Sequence, residues 1–121
     1  MFTPFPDGSR ARVVQAYRRP YEAPFRAEAG AAVRPDFGPK TDIEGWIWAE
    51  DPEGRGGWTP LAWLDRSAEP WRLTRDFDAL ELTVAEGEEV TLHFAESGFV
   101  LATTADGETG WLPDGVLERL P

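Results

Sequence analysis

Between Glu89 and Phe94, polar and apolar side chains alternate, with Val90 and Leu92 on one face and Thr91 and His93 on the other. A period of two predicts a half-buried strand. Val100 and Ala102 likewise face one way, Phe99 and Leu101 the other. Ala85-Glu86-Gly87-Glu88 and Ala105-Asp106-Gly107-Glu108 punctuate these runs as turns, the second with the Asp-Gly signal of a hairpin. No stretch offers a long apolar face at a 3.6-residue period. The pattern predicts an all-β chain of short strands.

The pattern also repeats. Gly45-Trp46-Ile47-Trp48-Ala49 is followed by Gly57-Trp58-Thr59-Pro60-Leu61-Ala62-Trp63-Leu64. Gly98-Phe99-Val100-Leu101-Ala102 is followed by Gly110-Trp111-Leu112-Pro113-Asp114-Gly115-Val116-Leu117. Both read Gly-aromatic-apolar-apolar-Ala, a turn, then Gly-Trp-x-Pro-x-x-x-Leu, with the two Gly landmarks equally spaced. An internal repeat of this length makes each half one small unit of about five strands.

Composition narrows what such a chain does. Six Trp, seven Phe and two Tyr in 121 residues exclude an acidic disordered tail. Without Cys there is no disulfide framework, thiolate metal site or cysteine nucleophile, and a single His builds no His-rich site. A net charge of −10 opposes nucleic-acid binding, which needs a dense cationic surface. The apolar runs fall far short of a membrane span and Met1 to Arg12 lacks a signal-peptide core, so no membrane partner and a cytoplasmic location are expected. Ser9, Ser67 and Ser97 lack nucleophile-elbow context, and His93 alternates outward on its strand. No catalytic residue, cofactor or metal is expected.

The residues that mark the repeat resemble those of tandem Src-homology-3 (SH3)-like domains of a bacterial ligand-binding type. Asp76-Phe77-Asp78-Ala79-Leu80-Glu81-Leu82-Thr83-Val84, running into Gly87, is similar to the family's ALYDY-like strand, acidic loop and diverging turn. Gly98-Phe99-Val100 and Gly110-Trp111-Leu112-Pro113 with Val116 and Leu117 take the places of its later motifs. In the first half the same places fall on Val13-Val14-Gln15-Ala16-Tyr17, Gly30, Gly45-Trp46, and Gly57-Trp58-Thr59-Pro60 with Trp63 and Leu64. The resemblance implies an N-terminal extension (1–10), a first five-stranded barrel (11–66), a short linker (67–70) and a second barrel (71–121). It places Leu73, Ala79, Leu82, Val84, Val90, Leu92, Ala102, Leu112 and Leu117 in the second core, and Val13, Phe25, Ala27, Val33, Ala49 and Leu64 in the first. Arg19, Pro35 and Thr59 also fall on inward positions of the first half, which is therefore expected to borrow cover from its neighbour.

By the same resemblance, the function is non-catalytic binding of a protein or a proline-containing peptide, laid across aromatic ridges with little entropy to lose. The first groove would comprise Tyr17, Trp46, Pro60 and Trp63. Glu22 is nearby, and Ala23 and Pro24 replace the usual acids, so a basic ligand residue is not obligatory. The second would comprise Glu81 beside a floor of Arg75, Phe77, Phe99, Pro113 and Val116. Charge divides along the repeat: residues 1–66 hold 9 Lys+Arg and 10 Asp+Glu, and residues 67–121 hold 3 and 12. Trp48 and Trp58, with Leu101 and Trp111 as their counterparts, are expected to face outward and seal a packing interface between halves or in a homodimer. That is the basis of a second reading, an assembly protein without a peptide ligand. The Phe2-Thr3-Pro4-Phe5-Pro6 segment is a candidate internal ligand for Trp46 or Trp63.

Overall fold

The computed structural model describes residues 5–22, 24–38 and 44–121, so Phe2 to Pro4 and Ala23 lie outside the described residues. The chain is all-β. Its strands in order are β1 (Arg10–Val13), β2 (Arg26–Ala27), β3 (Ala32–Asp36), β4 (Trp46–Glu50), β5 (Gly56–Pro60), β6 (Leu64–Asp65), β7 (Trp71–Leu73), β8 (Phe77–Asp78), β9 (Glu89–Glu96), β10 (Phe99–Thr104), β11 (Thr109–Pro113) and β12 (Leu117–Arg119). Single 3-10 turns, Leu61–Trp63 and Asp114–Val116, precede β6 and β12. Two five-stranded antiparallel ladders result, ordered β5-β4-β3-β7-β6 and β11-β10-β9-β1-β12, and β2 pairs separately with β8. Each ladder is open, with β5 and β6, or β11 and β12, as its edges.

The strands do not pair within the sequential halves. Unit 1 comprises Met1–Pro20 and Glu81–Pro121, and unit 2 comprises Tyr21–Leu80. The first strand of each repeat belongs to the sheet of the other repeat. β1 pairs with β9 and β12, placing Ala11 opposite Val90 and Val13 opposite Leu117. β7 pairs with β3 and β6, placing Val33 opposite Trp71 and Leu64 opposite Leu73. The hydrogen bonds repeat accordingly. Gly87 N–H donates to the Val13 carbonyl at 2.8 Å, as Gly30 N–H does to the Leu73 carbonyl at 2.8 Å. Both glycines sit at φ near +90°, a conformation that excludes most other residues at these diverging turns. Tyr17 bridges Val84 as Phe77 pairs with Ala27.

The cause is local. Residues 67–70, expected to be a linker, lie in the turn of a β6–β7 hairpin instead. Asp65 Oδ1 accepts the Ser67 N–H at 3.0 Å and the Ser67 hydroxyl at 2.7 Å, closing an Asx-type turn that reverses the chain. Strands adjacent in sequence pair first because closing the loop between them costs least. Once Leu73 lies against Leu64, the second repeat has no first strand of its own, and β1 fills the vacancy.

Both cores follow from the exchange. In unit 1, Ala11 and Val13 pack among Leu82, Val84, Val90, Leu92, Val100, Ala102, Leu112, Val116 and Leu117. In unit 2, Leu73, Phe77 and Ala79 are buried along with Phe25, Val33, Ala49 and Leu64, and the Phe25 and Phe77 rings meet at 5.7 Å. A side chain at Gly57 would collide with Ala79 at 2.5 Å, so that glycine admits the borrowed segment. Val13 thus belongs to unit 1, and Leu73 and Ala79 to unit 2, reversing the expected assignment. Of the three misfits, Arg19 lies in unit 1, where it pairs with Glu108 at 2.8 Å. Thr59 is fully buried with its hydroxyl donating to the Gly57 carbonyl, and Pro35 is half-buried opposite Ala49.

Charge is redistributed as well. Unit 1 holds 5 Lys+Arg and 10 Asp+Glu and unit 2 holds 7 and 12, so each carries −5. The strong asymmetry between halves disappears because Arg10, Arg12, Arg18 and Arg19 travel with β1 into the acidic repeat.

The β4–β5 turn is held by Asp51, whose Oδ1 accepts the Glu53 and Arg55 N–H groups and whose Oδ2 takes the Arg55 guanidinium. Burial alone would raise its pKa, but the hydrogen bonds and charge of Arg55 outweigh that and hold it below its ordinary 3.8. Its stabilisation is therefore present above that value and lost as pH falls through the lower folded value. Asp51→Asn is expected to lower the midpoint of urea unfolding at neutral pH, with the gap to wild type closing by about pH 2. The exchange makes a stronger prediction. Fragments 1–66 and 67–121 each lack a strand their sheet needs, so each alone is expected to be unfolded by circular dichroism. An equimolar mixture should regain the native spectrum, because both units assemble across a break at the turn.

Candidate binding site

Unit 2 gathers most of the aromatic floor expected for a groove. Trp46 stands opposite Pro60 in the β4–β5 register. Pro60 is extended (φ −64°, ψ 127°) and leads directly into the 3-10 turn that ends at Trp63. Tyr17 is not part of this floor, because it lies in unit 1. Phe77 takes its place, with its ring 5.5 Å from Trp63 at 88°. None of these rings is a bare ridge: Trp46, Trp63 and Phe77 are 6%, 5% and 4% exposed. Glu22 is exposed at the start of unit 2.

Phe77 also lines a surface recess of about 550 Å³ along the β2–β8 pair, together with Arg26, Ala27, Glu28, Asp76 and Asp78. The carboxylates are held in place by the backbone: Asp76 Oδ1 accepts the Ala29 N–H and Asp78 Oδ1 the Leu80 N–H, both at 2.9 Å. Asp76 and Asp78 come from the second repeat. Arg75, expected on the second floor, lies over the Trp63 ring with its guanidinium carbon 4.3 Å from the centroid. The second groove is accordingly dispersed: Arg75 and Phe77 belong to unit 2, while Glu81, Phe99, Pro113 and Val116 remain in unit 1.

In unit 1, Tyr17 donates its hydroxyl to Glu81, a carboxylate only 5% exposed. Phe99 pairs with Pro113 across β10 and β11, and both are half-buried, while Val116 is buried. This pairing of a phenol with a sunken acid fastens the arriving segment that follows β1. The N-terminal segment joins the same unit. Phe5 packs against its core under Arg119, and Gly8 N–H donates to the Leu92 carbonyl at 2.7 Å. Its described part is therefore engaged with unit 1 rather than serving as a ligand for Trp46 or Trp63.

Trp48 and Trp58 are register partners whose rings meet edge to face at 5.2 Å, and Tyr21 approaches Trp48 at 5.2 Å from another side. The Tyr21 hydroxyl also accepts the Trp58 N–H at 3.2 Å. Gly56 completes this half-buried cluster, since a Cβ there would fall 2.5 Å from the Trp48 ring. In unit 1, Leu101 lies opposite both Trp111 and Phe94, and Trp111 meets Phe94 at 5.8 Å. Trp111, expected to be open for packing between halves or chains, is only 2% exposed because its own unit covers it. Phe94 reaches that outer face because a bulge at His93 breaks the alternation. His93 itself spans Asp7 at 2.8 Å and Thr103 at 2.7 Å, tying the N-terminal segment to β10.

Periodicity carries no signal for the Tyr21 contact or for the bulge, because both depend on neighbours distant in the chain. Among the described residues, no group of three or more His, Asp or Glu is placed to hold a metal ion, and no helix is long and apolar enough to cross a membrane. No family model and no curated protein matches the sequence. Tyr17→Phe deletes the hydroxyl that meets buried Glu81 and is expected to cost roughly 1–3 kcal/mol in chemical denaturation.

Proposed function

We propose that the chain is a non-catalytic binding module built from two SH3-like units, and that unit 2 takes an extended, proline-containing protein segment carrying a basic residue. One observation supports this above others. Phe77 touches Trp63 of the aromatic floor and also lines the acidic recess, so an apolar seat and a carboxylate cluster adjoin within one unit. A preordered polyproline segment would seat a ring against Phe77 at the recess and reach Trp63 only where its cover moves aside, and its cation would meet Asp76, Asp78 and Glu28. Nucleic acid and membranes are not among the partners this reading names, and it requires no cofactor.

The half-buried Trp48–Trp58–Tyr21 cluster favours the second reading, pairing of chains into a homodimer without a peptide ligand. A proline-rich peptide array separates the two. Specific hits on peptides with Arg or Lys, weakened several-fold by Asp78→Asn with Glu28→Gln, are expected for the binding module. An array without hits, together with a dimer mass by light scattering that Trp48→Ser and Trp58→Ser reduce to a monomer, would replace it with assembly.

A further inference from the structure

We propose that Arg75 is a built-in gate on the unit 2 floor, a cation of the chain itself that occupies the face of Trp63 where a ligand would lie; this rests on the binding reading above. Its guanidinium carbon stands 4.3 Å from the Trp63 centroid, close enough for a full cation–π stack. Arg75 is exposed while Trp63 is only 5% exposed. An exposed side chain stacked on a buried ring lies on the ring's solvent side, so Arg75 supplies part of the cover that hides it.

The placement is enforced by the backbone next door. Thr74 donates both its N–H, at 2.8 Å, and its hydroxyl, at 3.1 Å, to the Trp63 carbonyl. Those two bonds hold the backbone that carries Arg75 next to the Trp63 segment. In unit 1 the equivalent bond runs from the Val14 N–H to the Val116 carbonyl at 2.8 Å. There Gln15 and Val116 stand in place of Arg75 and Trp63, so at this position a cation meets a ring in unit 2 and not in unit 1. The gate also arrives by the exchange: Trp63 belongs to the first repeat and Arg75 to the second.

The stack selects among ligands as well as covering the floor. A peptide that binds must displace Arg75 from the ring, so its own cation is set against one already in place, and the displaced guanidinium repels it. Lysine would substitute only in part, because its compact ammonium lacks the planar face a guanidinium can lay on a ring.

The test titrates full-length protein with a fluorescein-labelled decaproline peptide carrying one N-terminal arginine, read by anisotropy and by quenching of tryptophan emission. Arg75→Ala is expected to tighten binding roughly two- to fivefold, the loss of one solvent-exposed cation–π contact. Arg75→Lys should fall between wild type and Arg75→Ala. Arg66→Ala removes the same charge from another exposed arginine of the unit, one 5.9 Å from Trp71, and should leave affinity unchanged. Equal tightening by Arg66→Ala would replace the gate with a general charge effect. Binding by wild type that Arg75→Ala leaves unchanged would overturn the gate but not the binding module. If neither wild type nor Arg75→Ala binds, gate and module both fall.

Discussion

Six residues separate Leu64 from Trp71, and the turn they make governs the rest of the molecule. Asp65 holds Ser67 through backbone and side chain, the chain reverses, and β7 lies against β6, the pairing whose loop costs least to close. A strand committed to one ladder cannot also serve in another. The second repeat therefore lacks its opening strand, and the one remaining equivalent, β1 at the other end of the chain, completes it. A hairpin of a few residues thus sets a pairing between the N-terminal strand β1 and the C-terminal strand β12.

The exchange decides which side chains each unit contains. It sets Phe77 against Trp63 and brings Asp76 and Asp78 to the recess beside Arg26 and Glu28. It brings the arginines around β1 into the carboxylate-rich unit 1, where Arg10 approaches Glu89 and Arg19 pairs with Glu108. Exposed pairs of this kind contribute little individually. Their larger effect is to leave the two units with equal net charge, which lowers self-repulsion in the unit that would otherwise hold nearly all of it.

Aromatic residues divide between three tasks. Phe25 and Phe77 build the core of unit 2, and Trp46 and Trp63 form a floor that is covered rather than bare. Tyr21, Trp48 and Trp58 shield one another on an outer sheet face, with Gly56 leaving space for the Trp48 ring. Covering rings with neighbours or with a stacked guanidinium lets a small chain carry much aromatic surface without exposing large apolar patches.

Alternation and the Gly-Trp-x-Pro repeat were enough to determine an all-β chain of two equivalent units, the inward positions of nearly every strand, and the cross-strand pairing of Trp48 with Trp58. These are properties of single strands and adjacent hairpins, which local patterning specifies. Which copy of the first strand enters which sheet was decided only in the tertiary structure. Val13 and Leu73 are both apolar, flanked alike and suited to either core, so their own residues do not distinguish the partners. The choice rests on turn geometry between the repeats, and with it went the membership of the candidate site, the balance of charge and the stacking of Arg75 on Trp63. The bulge at His93 belongs to the same class, since one extra residue in a ladder is defined by the strand opposite.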